Sequence, residues 1–225
     1  MTATLRAPPG AGAGTPGDER ARLAPAFYDR PVLDVARDLI GCVVAVGECS
    51  GVIVETEAYH DTEPACHAFA GLTPRTATLF GPPGNAYVYL SYGVHALLNA
   101  VCEREGVGAA VLIRALEPLT GLERMRVRRG VDRDRALCSG PGKLSQALGI
   151  GLTDNGGSLR DGRVTIAPRP DRAFSQTVAA GVRIGITKAV DLPWRFAVVG
   201  SPHLSRPLRA AEIDAARRAE PRIVS

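Results

Sequence analysis

Val52-Ile-Val-Glu-Thr-Glu-Ala-Tyr59 is the stretch from which the rest of the chain is read. Its β-branched residues mark an extended strand, and side chains alternate across a strand. Val52, Val54, Thr56 and Ala58 share one face, which reads as core. Ile53, Glu55, Glu57 and Tyr59 share the other. Two readings of that second face stand open. One is a solvent-facing strand with ordinary charges. The other is a carboxylate serving as general base beside an aromatic surface. Burial raises the pKa of such a carboxylate, and an adjacent cation is what keeps it ionised.

Working outward, Cys42–Val46 forms a hairpin with this strand, turning near Gly47–Gly51. Pro31–Ile40 precedes it as a helix, with Leu33, Ala36, Leu39 and Ile40 on one face and Gly41 as a stop. Downstream, 61–84 is a long, proline- and glycine-rich connection, functional or built from short helical turns. Ala86–Tyr92 and Val94–Val101 form a second hairpin around Gly93. Ala110–Leu116 is a buried strand, and Leu119–Arg129 and Gly142–Leu148 are helices. Short strands follow at Arg163–Ala167, Val182–Ile186 and Arg195–Val199, then a helix at Leu208–Arg218. Strands and helices mix without a βαβ rhythm, so the fold class is α+β in one domain.

At 225 residues and 23.6 kDa, with 45% hydrophobic and 22% charged residues, the chain can bury a sizeable core. No apolar run is long enough to span a membrane. Met1–Arg22, rich in Ala, Gly and Pro, lacks the apolar run of a signal peptide and reads as a disordered tail on a cytoplasmic protein. The five cysteines (42, 49, 66, 102 and 138) have neither disulfide-framework nor zinc spacing, so buried thiols are expected. Net charge is −4 over residues 1–102, +2 over 103–159 and +6 over 160–225. Of 27 basic residues only Lys143 and Lys188 are lysines. The arginine-dense run 124–135 reads either as a solvated helix face or as a phosphate contact.

Three of the five tyrosines, Tyr87, Tyr89 and Tyr92, fall within six positions. Tyr87 and Tyr89 share a strand face and suit either cross-strand packing or the sandwiching of a planar ring. Tyr92 sits at the hairpin tip, as a turn residue or as a wedge for stacked bases. Cys138-Ser-Gly-Pro-Gly-Lys143 leads into a helix whose amides suit a phosphate or a plain turn. It is not a phosphate-binding Walker loop, since Leu144 stands where Ser or Thr is needed. Arg114, alone in an apolar strand, needs a buried partner, and Glu57 is a candidate.

Taken together these segments resemble the alkyladenine (3-methyladenine) DNA glycosylase family. The resemblance is carried by Val54–Tyr59, Ala65-Cys-His67, Thr73-Pro-Arg75, Leu79–Gly84, Tyr87–Gly93, Leu98-Asn99, Val111–Pro118 and Leu137–Leu144. It runs from about Pro31 to Arg206. It implies a curved mixed or antiparallel sheet surrounded by helices, with a hairpin that protrudes into DNA. The implied divisions are a tail over 1–22, a glycosylase domain over 23–206 and a C-terminal helix and tail over 207–225.

The resemblance also implies the chemistry. Glu57 is the base that activates water, and Arg114 holds that water and the glutamate. The Ile184 backbone carbonyl is a third water contact. Tyr59, His67 and Tyr89 wall the flipped base, Asn99 disfavours the exocyclic amine of normal guanine, and Tyr92 fills the gap left in the duplex. Leu79 and Asn85 depart from the animal members, which bears on lesion range and strand contacts. No cofactor and no metal are implied. The expected partner is duplex DNA carrying a damaged purine, met by a monomer in the nucleoid of a bacterial cytoplasm. A lyase mechanism uses an amine, and neither lysine falls in the Glu57 constellation, so a monofunctional enzyme is expected. A nucleoside hydrolase and a catalytically silent binder of damaged DNA are the competing readings.

Overall fold

The computed structural model describes residues 22–169 and 176–219. The expected tail before Arg22 and the end of the expected C-terminal segment lie outside these residues.

Among the described residues eight strands form one curled, half-barrel sheet in which every pairing is antiparallel. They are β1 (Val43–Val46), β2 (Cys49–His60), β3 (Ala86–Ser91), β4 (His95–Val101), β5 (Ala109–Thr120), β6 (Val164–Ala167), β7 (Val178–Gly181) and β8 (Arg195–Val198). The order is β3-β4-β5-β2-β1-β6, and β8 joins β2 while β7 joins β8. The twelve-residue β2 is the spine. One edge pairs with β5 along its whole length, and the other edge is divided. Val52 and earlier residues pair with β1, whereas Glu55–Glu57 pair with β8.

Among the described residues six α-helices accompany the sheet: α1 (Pro25–Tyr28), α2 (Val32–Asp38), α3 (Leu122–Arg129), α4 (Asp134–Leu137), α5 (Pro141–Leu148) and α6 (Ala210–Ala219). α2 packs on β2 and β5, and α5 packs on β4 and β5. The buried faces of these helices, with Val35, Leu39, Leu144 and Leu148, close a core that includes Ile53, Leu98, Ile113 and Leu116. The five cysteines are buried and unpaired.

The clean alternation expected along 52–59 is broken. Ile53 pairs with Leu116 and Glu55 with Ala115, so Val54 is an extra residue on β2. Such a bulge shifts the period, and Ile53 and Val54 both enter the core. Residues 53–58 are buried on both faces of the strand. Thr56 is buried and donates to the Ala36 carbonyl of α2 at 2.8 Å, while Glu55 and Glu57 on the other face are 0% exposed. A second correction concerns 182–186, expected as a strand. The strand lies earlier, at β7, and 182–186 is irregular, with Gly185 at φ +78°. The connection 61–84 contains two short 3-10 turns, His67–Ala70 and Ala77–Phe80. Gly108 lets the first of them close on the sheet, since a Cβ there would lie 2.4 Å from the Ala68 Cβ.

Candidate active site

Glu57 lies on β2 opposite Leu112 of β5. Glu55 pairs with Ala115 and Thr56 with Ile113, so Arg114 bulges from β5 between the two glutamates. That compensating irregularity lets one guanidinium reach both carboxylates. Its Nε donates to Glu55 Oε1 and its Nη1 to Glu57 Oε2, each at 3.2 Å. The expected Arg114–Glu57 pairing is present, with Glu55 as a second partner.

Glu57 accepts two further hydrogen bonds. The Tyr59 hydroxyl donates to Oε2 at 2.8 Å, and the Ile184 amide donates to Oε1 at 2.7 Å. The segment around Ile184 therefore meets the glutamate, and its amide is the group in contact. A carboxylate offers about four acceptor sites. Two bonds fill Oε2 and one fills half of Oε1, which leaves room for one more donor. Burial raises the pKa of Glu57 above the ordinary carboxylate value. Arg114, the Ile184 amide and the Tyr59 hydroxyl pull it back down, and the Glu55 charge pushes it up. All three donors favour the anion.

A cleft of about 580 Å³ opens beside this cluster. Tyr59, His67, Tyr89, Asn99, Tyr92, Arg114 and Ile184 all line it, so residues spread over 126 positions converge. His67 meets Tyr89 edge-on, with ring centroids 4.5 Å apart. Its Nδ1 lies 3.1 Å from the Tyr87 hydroxyl. Burial first, and the Arg75 cation second, lower the His67 pKa below the usual histidine value, which favours a neutral ring. Burial pushes the Tyr89 hydroxyl up to about 12. Asn99, opposite Tyr87 in the β3–β4 register, donates from Nδ2 to the Tyr87 carbonyl at 3.0 Å.

Tyr92 stands at the tip of the β3–β4 hairpin, 92% exposed. Its φ of +50° is followed by +74° at Gly93, the positive pair that a tight hairpin turn requires. Left-handed backbone is costly for a tyrosine, by roughly 1–2 kcal/mol. An exposed aromatic ring held on strained backbone is a feature that core packing does not explain.

Tyr87 stacks on Tyr89 at 5.4 Å and 26°, as their shared strand face allows. Several other site groups escaped the sequence reading. Arg183 is buried against Glu63, with N–O distances of 2.6 and 2.9 Å, and lies over the Tyr59 ring at 4.6 Å. Its position beside Ile184 was its signal. Nothing local marked Arg195 or Ser205, which bind Glu55. Lys188 lines the cleft beside the Glu57 cluster, a position that sequence reasoning did not assign to it. The arginine run is largely engaged within the protein. Arg126 bonds Glu123 and Asp134, Arg128 the Ala147 carbonyl, and Arg129 the Leu137 carbonyl and Gln146.

A buried carboxylate with one free acceptor site, held by Tyr59, Arg114 and Ile184 of an aromatic-lined cleft, suits hydrolysis at a bond to a planar ring, which is the chemistry of a DNA glycosylase. The sequence matches the family model described as methylpurine-DNA glycosylase over residues 26–202. The chain belongs to the methylpurine-DNA glycosylase family. A protein of Nitrobacter winogradskyi named "Putative 3-methyladenine DNA glycosylase" is 54% identical over 189 residues, covering 84% of this chain and 89% of that one. Proteins with the same printed name from Rhodopseudomonas palustris and Methanoculleus marisnigri are 55% identical over 181 residues and 49% over 189. They span 80% and 82% of this chain and 86% and 98% of their own.

Proposed function

We propose that the protein is a monofunctional DNA repair glycosylase. It flips an alkylated or deaminated purine out of duplex DNA and hydrolyses the N-glycosidic bond, leaving an abasic site. The observation that carries this reading is the environment of Glu57. Three donors and one free acceptor site make it a base ready to hold one water. Arg114 fixes the carboxylate and steadies the water, and the Ile184 carbonyl is a further water contact.

The target C1′ is inaccessible inside a duplex, so extrusion costs a few kcal/mol. Tyr59, His67 and Tyr89 offset that cost by stacking on the extruded base, and Tyr92 occupies the vacated space. A neutral His67 presents no positive charge to a cationic alkylpurine. Asn99 excludes the exocyclic amine of undamaged guanine. The residue divisions are a tail over 1–22, the glycosylase domain over 23–206 and a C-terminal helix and tail over 207–225. The protein works as a monomer in the bacterial nucleoid, and no helix among the described residues is long and apolar enough to cross a membrane.

The deciding experiment is base release from duplexes carrying 3-methyladenine, 7-methylguanine, hypoxanthine or ethenoadenine, compared with free nucleosides. Release of free base from duplex, without strand cleavage before alkali, is the expected result. Release from nucleosides at the same rate overturns the duplex reading. Lys188 makes the lyase control necessary. Borohydride trapping of a covalent complex in the wild type, lost in Lys188→Ala, would show an amine mechanism and overturn the monofunctional assignment.

A further inference from the structure

Glu55 is as deeply buried as Glu57, yet the proposed chemistry leaves it without a task. Four donors converge on it. Arg114 Nε and Arg195 Nε reach Oε1 at 3.2 and 2.8 Å. The Ser205 hydroxyl also reaches Oε1, at 2.8 Å, and the Ser205 amide reaches Oε2 at 2.6 Å. Ser205 Oγ accepts in turn from Arg114 Nη2 at 3.2 Å, and the Arg206 carbonyl accepts from Arg195 Nη2 at 2.6 Å. Arg114 is thereby held from behind at two nitrogens, leaving Nη1 for Glu57. Two buried carboxylates face two buried guanidinium groups, so their charges balance when all are ionised. Ser205 and Arg206 lie beyond residue 202, where the family match ends.

From this we infer that Glu55 is a positioning residue. Clamped by Arg195 and by the Ser205–Arg206 segment, it fixes the guanidinium of Arg114 so that a single edge addresses Glu57. The inference rests on Glu57 being the base. Its physical content is that removing Glu55 does two things. Arg114 loses its rear anchor and turns more fully onto Glu57, and the cluster gains one positive charge. Both favour the ionised form of Glu57 and so weaken it as a base. The other charged or titratable groups facing Glu57 are Tyr59 from the same strand, Arg114 from β5 and Tyr89 from β3; Arg183 lies over the Tyr59 ring.

The test uses the full chain, a duplex carrying hypoxanthine, and single-turnover base release from pH 5 to 9. DNA binding and thermal melting are measured in parallel. In Glu55→Gln the plateau rate falls by about tenfold or more, as expected for a misplaced catalytic partner. The acidic limb of its profile moves to lower pH, and DNA affinity stays within about twofold, since no DNA-facing group has changed. Ser205→Ala removes the bridge without altering charge, so its plateau falls several-fold while the limb stays in place. A folded Glu55→Gln protein with the wild-type plateau and limb overturns the inference. If that variant fails to fold, Ser205→Ala decides: an unchanged plateau overturns the inference, and a reduced plateau with unchanged DNA affinity supports it. Failure of the underlying reading is separate, because it shows as base release that survives Glu57→Gln.

Discussion

The Ile184 amide donates to Glu57 Oε1 at 2.7 Å across 127 positions of sequence. It comes from an irregular segment, not from a strand, because a laddered amide would be engaged by a neighbouring strand. Gly185 supplies the left-handed backbone that follows, with open space where a Cβ would stand. Gly185→Val therefore meets strain rather than a clash, at a cost of about 1–3 kcal/mol. The melting temperature is expected to fall by several degrees. Base release is expected to fall more than DNA binding, because the amide moves off Glu57. Calorimetry and single-turnover assays check both.

Glu57 has its pKa raised, chiefly by burial. With Glu57 as the proposed base, which must be ionised, activity is expected to be lost as pH falls through this raised value, with the acidic limb above the ordinary carboxylate pKa of 4.5. The stability sign follows from the same shift. Glu57 contributes favourably below the unfolded-state pKa, and that contribution disappears as pH rises through the folded value. Tyr59→Phe removes a donor to the anion and should move the limb to still higher pH while keeping an aromatic wall. A limb unmoved in Tyr59→Phe would show that the hydroxyl does not govern Glu57.

Tyr92 holds left-handed backbone at the hairpin tip. Tyr92→Gly removes that strain and is expected to leave thermal stability equal or higher. On the proposed role of Tyr92 as a wedge that offsets part of the extrusion cost, release from duplex should drop about tenfold. Release from single-stranded DNA should be unaffected. An equal drop on both substrates would deny Tyr92 its role in the duplex.

Arg128 donates to the Ala147 carbonyl at 2.9 Å and ties α3 to α5. Arg128→Ala should lower stability by about 1 kcal/mol, with the charge partly screened by solvent. Each phosphate contact contributes roughly 0.9 to the slope of log affinity against log salt. That slope should be unchanged in Arg128→Ala, as titrations at several salt concentrations will show.

Much was legible in the sequence because it depends on local chemistry. The two hairpins, the buried strand Ala110–Leu116 and the helix starting at Pro141–Gly142 follow from alternation, turn residues and pattern, whereas the motif residues lining the cleft were marked by the family resemblance. The boundaries moved where backbone pairing overrode side-chain pattern, as at 182–186. What periodicity could not supply is the double bulge at Val54 and Arg114, since strict alternation assumes an unbroken ladder. That irregularity sends both glutamates into the interior and brings one arginine between them.

The sequence by itself determined the fold class, carried the family resemblance and singled out Glu57, Arg114 and the cleft tyrosines as candidates. Only the tertiary structure decided that Glu55 shares Arg114, that Ser205 and Arg195 close on Glu55 from 150 and 140 positions away, and that Lys188 lies on the cleft wall. The reason is physical. A buried charge needs partners, but any donor the fold can deliver will satisfy it. Sequence shows the need through an arginine in an apolar strand; only the packing of β2 against β5, β8 and the C-terminal segment identifies which groups meet it.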